Sequence, residues 1–476
     1  MLGAGYNGSM SAEPPIPREL WDKTPPDVQA AVLALVSGLE RRIAALEARL
    51  HQDSSNSSKP PSRDPLHVKR RPPHPPSGKR RGGQRGHKRH TRELVPPERL
   101  TGVVECRPSA CRGCGHGLEG ADPEPLRHQV AELPEVRPDV VEYRLHRLTC
   151  PRCGVKTRGE LPTGVPRGAF GPRLQAAIAL LGGAYRMSKR QVKALMDDLL
   201  GLAVSTGMVC KTERAAAEAL AAPVDEVYEH VRSAPAAGVD ETGWREGNRR
   251  AWLWAAVTAE ATAFRVDRSR GADALHALVG DPIAPLIVSD RFPTYARAPN
   301  RQICWAHLRR DMQSMIDRAA GGQGVGERLL RLSDLVFAWW RRHEAGSVHR
   351  QTLRSYVAGL RPVVRSLLES GTACGCAWTA KVCRKLLSAE ASLWTFATAE
   401  GVPPHNNAAE RALRHGVIWR KTSYGTDSEP GSRFVERMLT VIATCRQHGR
   451  DVLGYLTDCL GARLNATPTP SLLGIG

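Results

Sequence analysis

The most constraining stretch of the sequence is APLIVSDRFPTYA, residues 284 to 296. Pro285, Leu286, Ile287 and Val288 form a continuous apolar run, which suits a strand buried on both faces. It closes on Ser289 and Asp290, with Arg291 and a proline turn immediately behind. A carboxylate at the carboxyl end of a core strand costs desolvation energy unless a charge meets it there: a helix N-terminus, an arginine or a metal ion. Any fold for this chain has to supply one of the three.

The flanking pattern narrows the choice. A short strand ends at Asp240; AWLWAAVTA and TAFRVD follow as strands; GADALHALVG reads as helix; PLIVSD is the next strand; RQICWAHLRRDM begins as a strand and turns helical. Three antiparallel-looking strands, a helix and a further strand is the order of an RNase H-like sheet, an α/β architecture in which the first and fourth strands are neighbours. Asp240 and Asp290 then fall at the ends of adjacent core strands. Trp252, Trp254 and Trp305 read as core. Residues 308 to 400 are mainly helical and look like an insertion. In PPHNNAAERALRHGVIWRKTSYG, Asn407 or its neighbour caps a helix, Glu410 lies one turn inside, and Arg414 shares its face.

At 476 residues the chain exceeds one comfortable core, and two to four domains are expected. The boundaries read as a disordered 1–24, a heptad helix over 25–52, a basic arm over 53–100, a zinc-binding segment over 101–165, a helical region over 166–232, the α/β domain over 233–448, and a C-terminal element over 449–476. The heptad seam is Val32, Val36, Leu39, Ile43, Leu46 and Leu50, fit for self-association or, being under three full heptads, for packing against its own protein. From Lys59 to Arg92 only Asp64 is acidic, so that tract is a linker able to neutralise phosphates. A net charge of +20 calls for a polyanionic partner, nucleic acid before an anionic membrane surface. No run of eighteen apolar residues and no signal pattern is present, which implies a soluble, unexported protein without a membrane partner.

Two C-x-x-C pairs, Cys111 with Cys114 and Cys150 with Cys153, sit beside glycine or proline as tight knuckles require. Four thiolates at that spacing suit one structural, tetrahedral Zn²⁺ in a zinc-ribbon-like segment, with VVEYRLHRL between them patterned like a strand. Redox C-x-x-C chemistry is the weaker alternative, and Cys106 and His116 are substitute ligands. The other cysteines, among them Cys210, Cys304, Cys383, Cys445 and Cys459, are scattered, as in a reducing cytoplasm. SKRQVKALMDDLLGLAVSTGMVCKTERAAAEAL reads as helix, turn and a second helix capped by Ser205. That is either a helix-turn-helix offering Lys211, Thr212 and Arg214 to a DNA groove, or a plain helical hairpin.

Singly, Asp240, Asp290 and Glu410 are ordinary turn, cap or ion-pair residues. Together, in a basic protein, they are what two-metal phosphoryl transfer needs. Two Mg²⁺ ions about 3.5–4 Å apart clamp the attacking and leaving oxygens, and hard oxygen ligands suit them. Arg411, Arg414 and Lys421 either hold phosphates or make surface ion pairs. Glu241 and His307 are either supporting partners of that site or structural.

At these residues the chain resembles the DDE transposases of the bacterial insertion sequence 66 family, nearly end to end. NSSKPPSRD, GGQRGHKRHTREL, the paired C-x-x-C motifs, DETGW, the strand ending at Asp290, CWAHLRRD and NNAAERALR carry the resemblance, in that order. It implies an α-rich multidomain protein with a retroviral-integrase-like catalytic core and Asp240, Asp290 and Glu410 as the DDE acids. The implied cofactors are two Mg²⁺ (or Mn²⁺) beside the structural Zn²⁺. The implied partners are double-stranded DNA of element ends and target, further copies of the chain, and accessory proteins of the same element, in the bacterial cytoplasm at the nucleoid. The rival readings are a transposase-derived DNA-binding regulator without chemistry, and an RNase H-like nuclease that cuts without joining.

Overall fold

The computed structural model describes residues 17–50, 52, 93–318 and 321–474. Most of the expected disordered N-terminus and basic arm, residues 1–16 and 53–92, therefore lies outside the described residues. The chain divides into two compact units. The smaller comprises Arg71–Tyr143 with Leu195–Ala203, and the larger comprises Met1–Arg70, Arg144–Ala194 and Val204–Gly476.

Helices α1 (Arg18–Trp21) and α2 (Pro26–Leu50) come first. On α2 the seam residues Leu39, Ile43, Leu46 and Leu50 are 48–80% exposed, so the heptad face is open to a partner. In the smaller unit, the Gln129 side chain clasps Val95 by accepting from its N–H at 2.8 Å and donating to its carbonyl at 2.9 Å. No side chain between 93 and 143 is buried. The strand expected in VVEYRLHRL shrinks to β1 (Arg147–Thr149), paired antiparallel with β2 (Lys156–Arg158). Residues 140–146 have a strand's alternation but no partner strand among the described residues, and alternation without a partner makes no ladder.

Helices α3 (Pro172–Gly183), α4 (Lys189–Leu200), α5 (Thr206–Ala219) and α6 (Ala221–Ser233) follow. The Ser205 hydroxyl accepts from Met208 N–H at 3.1 Å, the expected cap of α5. Thr212 is buried, so of the three groove-facing candidates only Lys211 and Arg214 face solvent. A residue one step from Lys211 turns inward because successive helix positions are about 100° apart.

The core sheet is β3 (Ala236–Glu246), β4 (Arg249–Val257), β5 (Thr262–Asp267), β6 (Leu286–Ser289) and β7 (Arg301–Ile303), with α7 (Ala272–Val279) between β5 and β6, and α8 (Trp305–Asp317) after β7. Its order is β5-β4-β3-β6-β7. β4 runs antiparallel to both β3 and β5, and β6 and β7 run parallel to β3. One expectation is corrected here. Asp240 does not end its strand but sits inside the eleven-residue β3, whose second half continues as a hairpin with β4. Trp254 and Trp305 are buried as expected, whereas Trp252 is half-buried, with the guanidinium groups of Arg250 and Arg270 at 4.9 and 4.4 Å from its ring centre.

The insertion comprises α9 (Gln323–Glu344), α10 (Arg350–Thr372), α11 (Ala377–Ser388) and α12 (Thr395–Thr398). It builds its own core around Leu329, Val336, Leu353, Val357, Leu386 and Phe396, continuous with Val288 and Ile303 of the sheet. The chain then returns to the sheet through α13 (Asn407–Ser423), α14 (Glu429–Gln447) and α15 (Val452–Asn465). Side chains of α14 satisfy the outer N–H groups of the edge strand β5. Thr444, Thr440 and Glu436 accept from Thr262, Phe264 and Val266 at 3.2, 2.9 and 3.0 Å. Four helical residues rise about 6 Å and two strand residues about 6.8 Å, so the two periods match closely enough to cover the edge.

Candidate active site

Strand register brings the two aspartates together. Parallel pairing sets Ala236 beside Leu286 and Gly238 beside Val288. Carried on by two residues, the same register sets Asp240 level with Asp290, on strands about 4.8 Å apart. Asp290 closes β6 with a tight turn, its Oδ1 accepting from Phe292 N–H at 2.8 Å, while Arg301 donates to its main-chain carbonyl at 2.5 Å. Arg291, which directly follows, is taken by Asp311 at 2.6 Å and does not neutralise Asp290. Of the three charges that the opening stretch calls for, the adjacent arginine is therefore already spent.

Glu410 comes to the same place on the first turn of α13. The helix is tied to β3 at its N-terminus, where the buried Asn406 donates from Nδ2 to the Val239 carbonyl at 2.8 Å. Asn406 occupies the N-cap position without a side-chain cap: its Nδ2 holds the strand, and its Oδ1 accepts no hydrogen bond among the described residues. Gly238 makes room for it: a β-carbon there would lie 2.7 Å from Asn406 Oδ1. Along the helix, Gly416 lets α13 settle on the sheet, since a β-carbon would lie 2.1 Å from Leu253 Cδ2.

The electrostatics record this convergence. Burial pushes the Asp240 carboxyl well above the usual carboxylate range, and the charges of Glu241, Asp290 and Glu410 push the same way. Glu241, next along the strand, is bound by Arg270 at 2.7 Å and by the Tyr295 hydroxyl. Its own carboxyl is raised chiefly by burial, and these two contacts fix that corner of the sheet. His307 on α8 brings Nδ1 to 3.5 Å from Glu410 Oε1; burial disfavours its protonated form. Cys304, at the N-terminus of α8, points its sulfur at the same group and accepts from Asn406 N–H at 3.2 Å. Its thiol is pushed up to about 11 by burial. The sequence places Cys304 only among the scattered cysteines and Asn406 only as a neighbour of the cap candidate Asn407; the C-x-x-H spacing of CWAH was the available signal for the first.

The remaining candidates are spread more widely. Arg411, Arg414 and Lys421 are exposed on α13, and Arg411 lines a cleft of about 370 Å³ with Ala408, Ala412, His415 and Arg446. Arg214 lines a second cleft, of about 760 Å³, with Arg186, Lys189 and Gly425; Lys211 is exposed on the same helix as Arg214. All twelve cysteines are free thiols. The C-x-x-C turns share one construction, with Cys111 N–H donating to His116 O and Cys150 N–H to Val155 O at 2.8 and 2.9 Å, and a left-handed glycine, Gly115 or Gly154, closing each. In both, the first cysteine is held below the usual thiol range by backbone N–H groups aimed at its sulfur. Cys111 and Cys114 belong to the smaller unit, Cys150 and Cys153 to the larger. No helix among the described residues is long and apolar enough to cross a membrane.

Comparison with known proteins gives four likenesses. The family described as "Transposase IS66 family" matches residues 167–433, and one described only as of unknown function matches residues 14–93. The protein y4qI of Sinorhizobium fredii, described as uncharacterized, is 30% identical over 243 residues, 44% of this chain and 43% of its own length. The protein y4jO of the same bacterium, also described as uncharacterized, is 30% identical over 186 residues, 39% of this chain and 54% of its own. The chain thus spans about half the length of these relatives.

Proposed function

The chain belongs to the IS66 family of transposases, and on that footing we propose that it binds the ends of a DNA element and catalyses their cleavage and joining to target DNA, with Asp240, Asp290 and Glu410 as the DDE acids. The observation that carries this reading is geometric: the parallel register sets Asp240 level with Asp290, and Asn406 ties the helix bearing Glu410 to Val239, the residue before Asp240. Such a cluster is stable when cations share it. The strand order β5-β4-β3-β6-β7, three antiparallel and two parallel, supports an RNase H-like core.

Three carboxylates that no Lys or Arg side chain pairs directly among the described residues fit hard divalent metals, and Glu410 Oε1 is buried without a hydrogen-bond partner among those residues. Divalent ions held by Asp240, Asp290 and Glu410 would lower the pKa of a bound water and neutralise charge on the attacking and leaving oxygens. The protein's own contribution is positioning. β3 and β6 hold two acids rigidly, Asn406 fixes the helix bearing the third, and Arg411, Arg414 and Lys421 hold the phosphates of the strand being cut. In the first reaction, attack by water on phosphorus frees a 3′-hydroxyl and leaves a 5′-phosphate. In the second, that hydroxyl attacks a target phosphodiester and expels a new 3′-hydroxyl, so one P–O bond forms as one breaks.

The test is a strand-transfer assay with Mg²⁺ and DNA carrying the element's ends. Joined product is expected. Cutting without joining would make the protein a nuclease, and tight binding with no Mg²⁺-dependent product would make it a regulator.

The paired C-x-x-C spacing in the sequence is the ground for a structural Zn²⁺ on Cys111, Cys114, Cys150 and Cys153, and each turn taken by itself aims N–H groups at its first thiol as thiolate ligation requires. A segment with no buried side chain between 93 and 143 also needs such a staple. Full-length protein should retain about one tightly held Zn²⁺ per chain that the double variant Cys111→Ser, Cys150→Ser does not hold; equal metal content in both would remove the zinc. The arm is tested by deleting residues 59–92. Binding to DNA should weaken and its log–log salt slope flatten by about 0.9 for each phosphate the shortened chain leaves unneutralised, whereas an unchanged slope would make the arm a spacer. Self-association through the open seam of α2 and an accessory partner from the same element belong to this reading too.

A further inference from the structure

The group beside the third acid has the wrong chemistry for magnesium alone. The Cys304 thiol, a His307 ring nitrogen and a Glu410 carboxylate oxygen lie within 4.8 Å of one another. They are one sulfur, one nitrogen and one oxygen donor, the set that borderline-soft cations select, while Mg²⁺ prefers oxygen throughout. Metal–ligand bonds of about 2.0–2.3 Å imply donor–donor edges of about 3.3–3.8 Å in a tetrahedral site. The His307–Glu410 separation of 3.5 Å is already such an edge. A sulfur-to-nitrogen or sulfur-to-oxygen edge is about 3.5 Å, so the sulfur needs to close by about 1.3 Å at most to match.

Two features argue against an ordinary ion pair. His307 Nδ1 and Glu410 Oε1 are both buried, and neither has a hydrogen-bond partner among the described residues. If Nδ1 carries a proton, 3.5 Å is too long for a hydrogen bond; if it does not, two lone pairs face each other. A cation between them resolves both cases. The sulfur is likewise prepared, accepting from Asn406 N–H at 3.2 Å from the residue that anchors α13 to β3. The His307 and Glu410 side chains remain 22% and 34% exposed, which leaves an entry path and a fourth position for water.

We propose that Cys304, His307 and Glu410 form a site for a thiophilic divalent cation of the Zn²⁺ class, and that filling it withdraws Glu410 from the magnesium cluster. Binding replaces the thiol proton with the metal and releases that proton to water. The site stands on its own donors; the competition rests on Glu410 acting as the third acid.

Cobalt is the probe for the site. Full-length wild type titrated with Co²⁺ should bind one more equivalent than Cys304→Ala, and the difference spectrum should carry a sulfur-to-cobalt charge-transfer band. The C-x-x-C cysteines are present in both proteins and cancel. His307→Gln, altered at a partly exposed side chain, should lose the same equivalent and guards against misfolding of the first variant. Identical stoichiometry and spectra in all three proteins would overturn the site. For the competition, Zn²⁺ is titrated into the Mg²⁺-driven joining reaction, each protein against its own zinc-free rate. The half-inhibiting concentration should rise at least tenfold in Cys304→Ala, and an unchanged value would overturn it. Should wild type join no DNA in Mg²⁺, the transposase reading falls while the cobalt comparison still decides the site.

Discussion

Replacing Asp240 by asparagine is expected to abolish Mg²⁺-dependent cutting and joining while making the metal-free protein harder to melt. The two effects have opposite signs for one reason. Without cations, the Asp240 carboxylate is largely desolvated beside Glu241, Asp290 and Glu410, and all of these favour its neutral form. A carboxyl whose folded pKa is raised weakens the fold as pH climbs past its unfolded value, since the unfolded chain gives up the proton first. Asparagine keeps the shape, still accepts from Glu241 N–H as Oδ1 does at 2.9 Å, and removes the charge. A higher Tm at pH 7–8 follows, and the gain should shrink toward pH 4, where aspartic acid is itself protonated. The loss of activity has a different origin. A two-metal cluster supplies several kcal/mol of transition-state stabilisation, so removing one of its rigid ligands should cost about 10³-fold or more in rate. Thermal melts in EDTA, paired with strand transfer in Mg²⁺, measure both. Product within tenfold of wild type would remove Asp240 from the chemistry. A lower Tm at neutral pH would mean that its charge is compensated in some other way.

The parts legible in the sequence were those whose burial has a period. The β4, β5, α7, β6, β7 and α8 segments alternate or repeat clearly, and their order alone set Asp240 and Asp290 on neighbouring strands. The pattern makes β3 too short because Glu241, Thr242, Gly243 and Arg245 break the apolar alternation. They are tolerated there because Arg270 and Tyr295 meet Glu241, while Arg420 from α13 donates to the Gly243 carbonyl and to Thr242. Such partners are long-range and leave no local signal. Cys304 is hidden for a related reason. It sits at a strand-to-helix corner, where neither period applies, and its meaning depends on Asn406 and Glu410 about a hundred residues onward. Asn406 could be placed at a helix start by its type, but its bond to Val239 is a property of the fold.

Gly425→Ala is expected to be the most destabilising single methyl added near the site. Past α13 the chain turns through Tyr424 at φ +61° and Gly425 at φ +120°. A β-carbon on Gly425 would lie 2.3 Å from the Arg245 carbonyl oxygen and 3.1 Å from its carbon and nitrogen. That backbone has nowhere to go. Arg245 is in register with Arg250 across the β3–β4 hairpin, and its carbonyl accepts from Thr426 N–H at 3.0 Å. Two residues on, Gly247 N–H donates to Thr426 O at 2.7 Å, which closes a bridge between β3 and the chain leaving α13. Forcing an L-residue into left-handed backbone costs about 1–2 kcal/mol, and overpacking a closed contact about 1–3 more. Against a net stability of about 5–15 kcal/mol, that is a large share. Gly449→Ala is the control, since Gly449 has φ +65° and nothing within 4 Å of its β-carbon position. Denaturant unfolding followed by tryptophan fluorescence should show Gly425→Ala losing about 2 kcal/mol more than Gly449→Ala; equal losses would mean that the turn simply relaxes. The location gives the result a functional edge. Asn406 and Gly425 clamp the two ends of α13 to the same strand, so the distance from Glu410 to Asp240 is held from both sides. Protein that survives as Gly425→Ala should therefore lose strand transfer more steeply than DNA binding, because a loosened helix still presents Arg411, Arg414 and Lys421 but no longer fixes its acid.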